Sequence, residues 1–127
     1  MTKRILILDD DEAVRDAMEA ALEYARFTVK TVESSAHFFR ELDGFKPDLV
    51  LIDYILPGIN GGEICHQIKV DPHTQHLPVI LISAYPKVLL SLGDYGCNTF
   101  IAKPFDLSEL IQAVNSCLDM DLQGHES

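Results

Sequence analysis

Residues 5–25 read ILILDDDEAVRDAMEAALEYA, and this stretch decides the fold class. Its first four residues are all apolar, which is typical of a strand that is covered on both faces. From Glu12 onward, apolar residues recur every three or four positions, which predicts a helix with one apolar face. A strand followed directly by an amphipathic helix is the unit from which parallel sheets are built.

The same unit recurs along the 127 residues of the chain. Further strands are predicted at 28–32, 49–52, 79–82 and 99–102, with helices at 35–42, from 60, at 86–95 and from 106. This alternation predicts a doubly wound α/β fold, a flavodoxin-like (βα)5 arrangement whose five-stranded parallel sheet has the order 2-1-3-4-5. We expect one domain over residues 1–119 and a polar, frayed tail over residues 120–127.

The balance of charge limits the possible partners. Twenty Asp and Glu residues against ten Lys and Arg give a formal net charge of −10. This argues against direct binding to nucleic acid or to an anionic membrane, because phosphate groups are bound by clustered cations. No apolar run is long enough to cross a bilayer, and no signal peptide is recognisable. An odd number of cysteines (Cys65, Cys97, Cys117) predicts thiols rather than disulfides, and we expect a cytoplasmic protein.

Acidic residues follow two strands that are neighbours in the predicted sheet. Asp9, Asp10 and Asp11 follow the first strand, and Asp53 follows the third. The winding reverses between these strands, which is where ligands bind in this class of fold. Asp11 is explained as the cap of the first helix. The other carboxylates repel one another, and oxygen ligands favour Mg²⁺ over Zn²⁺ as the ion that relieves the repulsion.

Two more polar residues are predicted to reach the same edge of the sheet. Ser83 ends the fourth strand and Lys103 follows the fifth. Each alone is more typical of a turn or of a solvated charge. Together with the carboxylates they supply a nucleophile, a cation site, a hydroxyl and an ammonium, a set that favours phosphoryl transfer.

Four motifs, in this order and each at a strand end, resemble the receiver domain of two-component response regulators, the CheY-like fold. They are ILILDDD at 5–11, DYILPGING at 53–61, SA at 83–84 and KPF at 103–105. The resemblance extends from Arg4 to about Leu118 and implies a phosphorylation-dependent signalling switch. Such a protein is a self-phosphorylating and slowly self-dephosphorylating regulator rather than a turnover enzyme.

The resemblance also implies how the acidic site works. Asp53 would accept a phosphoryl group from a phosphohistidine and become a phosphoaspartate. Asp10, Asp53 and the backbone carbonyl of Ile55 would contact Mg²⁺, while Asp9 would act mostly through water. The donor would be a sensor histidine kinase or a histidine phosphotransfer protein.

The remaining roles follow from the same resemblance. Ser83 and Lys103 would each bind a phosphoryl oxygen, and Lys103–Pro104 would be a cis peptide bond. Movement of Ser83 would let Phe100 turn inward and signal to an unidentified downstream protein. That protein would bind the face formed by the fourth helix, the fifth strand and the last helix. Ile55 and Tyr85 would tune dephosphorylation, and we expect them to shield the phosphoryl group from water.

The sequence departs from the family pattern in two places. Twenty positions separate Ser83 from Lys103, fewer than is usual in the family, which predicts a shortened or irregular fourth helix. Arg26 stands where the family often has a glycine that closes the first helix, which predicts an altered or strained turn.

Two other functions remain open at this point. The D-x-D spacing of Asp9 and Asp11 also fits a Mg²⁺-dependent phosphatase of the haloacid dehalogenase type, although Ala13 and the short chain argue against it. A receiver-like binding module that is never phosphorylated is the other alternative. The H-x-x-H of His73 and His76 is interpreted as part of a surface loop and not as a metal site.

Overall fold

The computed structural model describes residues 2–85, 87 and 96–126, with the backbone alone described at 120–126. The strands are β1 (Arg4–Leu8), β2 (Thr28–Val32), β3 (Leu49–Asp53), β4 (Val79–Ser83) and β5 (Thr99–Ala102). The helices are α1 (Glu12–Tyr24), α2 (Ser35–Phe45), α3 (Gly61–Val70) and the C-terminal helix α4 (Leu107–Glu126). Of the helix predicted over residues 86–95, only residue 87 lies among the described residues.

The five strands form one sheet in the order β2-β1-β3-β4-β5. Every pair of neighbours is parallel. The predicted fold class and strand order are therefore confirmed. The order places the carboxyl ends of β1 and β3 side by side, with β4 and β5 following on the same edge.

The sheet separates two apolar layers, which explains the continuous apolar runs of the central strands. Leu6 and Leu8 of β1 face a layer that includes Phe38 of α2 and Ile64 of α3. The alternate residues of β1 face a second layer, formed with α1 and the C-terminal helix α4 (Ile5, Ile7, Met18, Leu22, Leu110, Val114). Because both faces of the strands are covered, polar residues are excluded from them until the strands end.

Polar caps begin the helices where the sequence predicts them. Asp11 accepts hydrogen bonds from the amides of Ala13 and Val14, at 2.9 and 3.2 Å. Asn60 Oδ1 accepts from the Glu63 amide at 2.9 Å. These caps satisfy helix amides that have no partner within the helix. They start α1 and α3 directly after the strand ends that carry the acidic residues.

Arg26 closes α1 in the left-handed conformation, with φ of 75°. The Phe27 amide donates to the Leu22 carbonyl at 3.0 Å, and the Arg26 amide donates to that of Glu23 at 2.9 Å. This is the usual helix-closing turn in which glycine is favoured. Arg26 adopts the same turn, at a cost of about 1–2 kcal/mol because its Cβ atom disfavours the left-handed conformation.

The C-terminal helix α4 extends to Glu126. The division into a domain over residues 1–119 and a polar tail over residues 120–127 stays a prediction. No helix in the described ranges is both long and apolar enough to cross a membrane. Cys65 and Cys117 are buried thiols and Cys97 is a half-buried one, as predicted.

Candidate phosphorylation site

Three carboxylates meet at the edge of the sheet where the winding reverses. Asp9 follows β1 and is completely buried, and Asp53 ends β3 and is 5% exposed. Asp10 is exposed in the turn that leads into α1. One carboxylate oxygen from each of the three lies within 4.8 Å of the others. The sequence therefore predicted correctly that these residues would come together.

Lys103 joins two of these carboxylates. Its Nζ atom lies 3.2 Å from Asp9 Oδ2 and 3.2 Å from Asp53 Oδ1. The Lys103 amide donates to the Ser83 carbonyl at 2.8 Å, which fixes the start of the segment that follows β5. The Lys103–Pro104 peptide bond is cis, as predicted. The ammonium thus reaches the acidic site from the far side of β4.

The electrostatics of the site show a deficit of positive charge. Burial and the neighbouring Asp9 carboxylate raise the pKa of Asp53 to about 6, although Lys103 opposes the change. Burial alone would lower the pKa of Lys103, but the Asp53 and Asp9 carboxylates outweigh it and raise that pKa. One ammonium therefore faces three carboxylates and does not neutralise them.

This donor set fits a divalent cation. All three side chains offer oxygen atoms, and in the described part of the chain no histidine or cysteine joins the cluster. Oxygen ligands of high negative charge suit Mg²⁺, whereas Zn²⁺ prefers nitrogen and sulfur ligands. Asp9, Asp10 and Asp53 would hold the ion. A contribution from the Ile55 carbonyl stays a prediction.

Asp9 is fixed at each of its polar atoms. Its amide donates to the Val32 carbonyl at 3.3 Å. The Asp11 amide donates to Asp9 Oδ1 at 2.9 Å, and Lys103 binds Oδ2. Arg15 Nη1 donates to the backbone carbonyl of Asp9 at 2.8 Å. The sequence alone did not point to Arg15, because nothing in the helical pattern of α1 shows that this side chain turns back toward β1.

Gly61 places the start of α3 against the backbone of Asp53. Its amide donates to the Tyr54 carbonyl at 2.8 Å. A Cβ atom at Gly61 would collide with the Asp53 carbonyl oxygen and would crowd the Ile52 side chain. Gly61 is a second residue whose role the sequence alone did not indicate. Its position directly after the Asn60 cap was the available signal.

Ser83 lies at the end of β4 and is completely buried. Its Oγ accepts a hydrogen bond from the Tyr85 amide at 2.9 Å. This bond holds the hydroxyl at the same edge of the sheet as Asp53 and Lys103. A role for Ser83 in binding a phosphoryl oxygen stays a prediction.

Three of the residues predicted to act in switching and dephosphorylation, Phe100, Ile55 and Tyr85, are exposed. Phe100, on β5, is 37% exposed. It lines a groove of about 460 Å³ with Glu109 and Gln112 of the C-terminal helix α4. Ile55 and Tyr85 are 54% and 62% exposed. His73 and His76 are exposed in the connection between α3 and β4, which agrees with a surface loop.

The chain is a doubly wound α/β domain with an acidic cluster and a lysine at its switch point. Residues 5–115 match the family model described as the response regulator receiver domain. The chain therefore belongs to the response regulator receiver family. This membership confirms the resemblance seen in the sequence.

Individual relatives agree with this assignment. The chain is 34% identical over 122 residues to the response regulator PleD of Caulobacter vibrioides, covering 91% of this chain and 26% of PleD. It is 30% identical over 117 residues to the DNA-binding dual master transcriptional regulator RpaA of Synechocystis sp., covering 91% of this chain and 48% of RpaA. The chain thus spans about half or less of the length of these two relatives.

Solved structures show the same fold. The signal receiver domain of a signal transduction histidine kinase from Syntrophus aciditrophicus has a TM-score of 0.83 and 28% identity. The alignment covers 93% of this chain and 91% of that one. A CheY-like receiver domain protein from Methanospirillum hungatei has a TM-score of 0.87 and 24% identity, covering 98% and 99% of the two chains.

Proposed function

We propose that this receiver domain is a switch that is phosphorylated on Asp53 by a phosphohistidine donor in a Mg²⁺-dependent reaction. The bridging position of Lys103 between Asp53 and Asp9 is the observation that supports it best. This ammonium lies where a phosphoryl group on Asp53 would place negative charge. Membership of the receiver family supports phosphorylation-based signalling in general.

The reaction forms one bond and breaks one. A carboxylate oxygen of Asp53 attacks phosphorus, and the bond between phosphorus and the histidine nitrogen breaks. The imidazole leaves and takes up a proton. Asp53 must be ionised to attack, and with a pKa near 6 it is largely ionised at neutral pH. Mg²⁺, when bound, would neutralise charge on the phosphoryl oxygens.

The chain supplies the other requirements. Lys103 donates to the transferred group and offsets its charge. Asp9 holds Lys103 in place through its own ion pair, and the buried Ser83 hydroxyl would donate to another phosphoryl oxygen. Ile55 and Tyr85 would limit the access of water to the product. The domain acts once for each signal and does not turn over a substrate.

The partners that we propose are those of a signalling relay. The donor is a sensor histidine kinase or a histidine phosphotransfer protein, and the receiving partner is a protein that contacts the Phe100 groove. The net charge of −10 favours basic protein surfaces over nucleic acid. The helix predicted over residues 86–95, which belongs to the predicted output face, lies outside the described residues except at residue 87. A cytoplasmic location stays a prediction.

One experiment tests the proposal. The protein is incubated with acetyl phosphate and Mg²⁺, and the intact mass is measured. We expect one phosphoryl adduct on the wild type and on the control Asp43→Asn, whose carboxylate is exposed on α2. We expect none on Asp53→Asn. An adduct of equal size on Asp53→Asn would refute the assignment of the site.

The two alternatives give different results in the same assay. Absence of any adduct on folded wild-type protein would favour the receiver-like binding module. Steady hydrolysis of a small phosphate ester would favour a phosphatase of the haloacid dehalogenase type, which membership of the receiver family argues against.

A further inference from the structure

Arg15 contacts the phosphorylation site without touching its carboxylates. It lies in the first turns of α1, and its Nη1 atom donates to the backbone carbonyl of Asp9 at 2.8 Å. Asp9 is the residue at which the chain leaves β1 and turns toward α1. The guanidinium therefore binds the turn that carries both Asp9 and Asp10.

With this contact, every polar atom of the buried Asp9 has a hydrogen-bond partner. The amide of Asp9 is bound by β2, its Oδ1 by the Asp11 amide and its Oδ2 by Lys103. The carbonyl oxygen lies beyond the last paired residue of β1, Leu8, so the ladder of the sheet provides it with no bond. A buried carbonyl without a partner costs about 1–3 kcal/mol. Arg15 removes this cost and ties the turn to α1.

The charge of Arg15 acts against the binding of a cation. A guanidinium near three carboxylates offsets part of their negative potential, which by itself would weaken the attraction for a divalent ion. Glu33, after β2, attracts the guanidinium from outside the acidic cluster. Its pKa is lowered by a backbone hydrogen bond, by the His37 side chain and also by Arg15. The hydrogen bond and the charge of Arg15 therefore have opposite effects on the site.

We propose that Arg15 is a positioning residue, which holds Asp9 and Asp10 in the arrangement that binds a divalent cation by its hydrogen bond to the Asp9 carbonyl. The inference rests on the proposed function for the role of the cation in phosphoryl transfer. The gain from holding the turn exceeds the loss from the positive charge. Partners that orient metal ligands in this indirect way typically change metal affinity by about 10- to 100-fold.

Because the hydrogen bond and the charge of Arg15 change the Mg²⁺ affinity in opposite directions, a measurement of that affinity distinguishes the two. The Mg²⁺ affinity of the full chain is measured by calorimetry, with no phosphoryl donor present. Arg15→Met removes both the charge and the hydrogen bond. If Arg15 positions the turn, Mg²⁺ binds about tenfold more weakly. If Arg15 acts through its charge alone, Mg²⁺ binds more tightly.

Two further variants complete the experiment. Arg15→Lys keeps a donor and the charge, and we expect it to bind Mg²⁺ almost as tightly as the wild type. If only the aliphatic part of the side chain mattered, Arg15→Met and Arg15→Lys would bind Mg²⁺ equally well. Arg40→Met removes a charge from an exposed position on α2 and should leave Mg²⁺ affinity almost unchanged. If Arg15→Met does not fold, Arg15→Ala, which also removes both the charge and the hydrogen bond, takes its place: about tenfold weaker Mg²⁺ binding supports the proposal, and unchanged or tighter binding overturns it.

The result is separable from the proposed function. Wild-type protein that binds Mg²⁺ but takes no phosphoryl group would refute the proposed function and leave the role of Arg15 open to the same comparison. Unchanged or tighter binding by Arg15→Met, in protein that is phosphorylated normally, would refute the role of Arg15 alone. A wild type that does not bind Mg²⁺ would refute both.

Discussion

Lys103 Nζ lies 3.2 Å from Asp53 Oδ1, so the residue after β5 forms an ion pair with the last residue of β3 across the intervening strand β4. The same ammonium lies 3.2 Å from Asp9 Oδ2. The two ion pairs fix the position of the Lys103 ammonium, which can then bind a third anionic group at the same site. A phosphoryl group on Asp53 would be that partner.

Replacement of Lys103 by methionine should therefore slow phosphorylation. Loss of a positioned donor that stabilises developing charge typically lowers a rate by about 10²- to 10³-fold. The rate is measured from the growth of the phosphoryl adduct with acetyl phosphate and Mg²⁺. Lys103→Arg should retain part of the rate, and Lys3→Met, which removes an exposed lysine, should retain all of it. Wild-type rates for Lys103→Met would contradict the role given to this residue.

The raised pKa of Asp53 makes stability depend on pH. The folded protein binds the proton of the Asp53 carboxyl group more tightly than the unfolded chain does, with a pKa of about 6 instead of 3.8. The unfolding free energy of the wild type should therefore fall as the pH rises from about 4 to about 6 and change little above that range. The total loss is at most about 3 kcal/mol, at 1.36 kcal/mol for each pKa unit.

Asp53→Asn removes this dependence because the amide does not ionise. In the presence of EDTA, the variant should match the wild type near pH 4 and be more stable by about 1–3 kcal/mol above pH 6. Urea unfolding across this pH range measures the difference. Addition of Mg²⁺ should reduce it at neutral pH by stabilising the wild type. A variant less stable than the wild type at pH 7 would show that Asp53 carries no such penalty.

Gly61 should be intolerant of a side chain. Gly61→Ala forces a Cβ atom into the Asp53 carbonyl oxygen, so either α3 or the end of β3 must move. We expect a loss of about 2–3 kcal/mol in unfolding free energy and slower phosphorylation. Gly44→Ala is the matched control, because a Cβ atom there meets no atom within 4 Å. Equal behaviour of the two variants would contradict the packing argument.

The fold and most of the acidic site followed from sequence for one physical reason. Strands covered on both faces must be apolar until they end, so the first polar residues mark the carboxyl edge of the sheet. Asp9 after ILIL and Asp53 after LVLI show this directly. The strand order then makes β1 and β3 neighbours and brings these residues together.

Other features depend on distances that the linear pattern does not contain. Asp9 and Lys103 are 94 positions apart in sequence. Nothing in the linear pattern shows that one ammonium bridges two carboxylates. The reach of Arg15 back to the Asp9 carbonyl and the contact of Gly61 with Asp53 are likewise products of packing. The raised pKa of Asp53 follows from its burial beside Asp9, which only the folded arrangement creates.

Lys69 should contribute to stability at the opposite edge of the sheet. Its Nζ atom donates to the Leu77 carbonyl at 2.7 Å and to Asn98 Oδ1 at 2.9 Å. Asn98 Oδ1 also accepts from the Val79 amide, so the lysine ties α3 to the starts of β4 and β5. Hydrogen bonds that involve a charged group are worth about 1.5–3 kcal/mol each.

Lys69→Met should therefore lower the unfolding free energy by about 2–3 kcal/mol. Lys3→Met again serves as the exposed control. Because Lys69 lies at the edge of the sheet away from Asp53, protein that remains folded should be phosphorylated at the wild-type rate. A stability equal to that of the wild type in urea unfolding would show that water replaces these bonds without cost.

Tyr85→Ala should shorten the lifetime of the phosphoryl group. The Tyr85 side chain is 62% exposed, two residues after Ser83, and its amide already donates to Ser83 Oγ. The substitution removes the ring while that backbone bond remains, so a change in rate reports on the ring itself. If the ring limits the approach of water, its loss should speed hydrolysis by about fivefold, which corresponds to about 1 kcal/mol in the barrier.

The phosphorylated protein is desalted and its adduct followed by intact mass, with Tyr24→Ala, 91% exposed on α1, as control. Equal lifetimes in Tyr85→Ala and the wild type would remove Tyr85 from the set of residues that tune dephosphorylation and leave Ile55 to be tested in the same way.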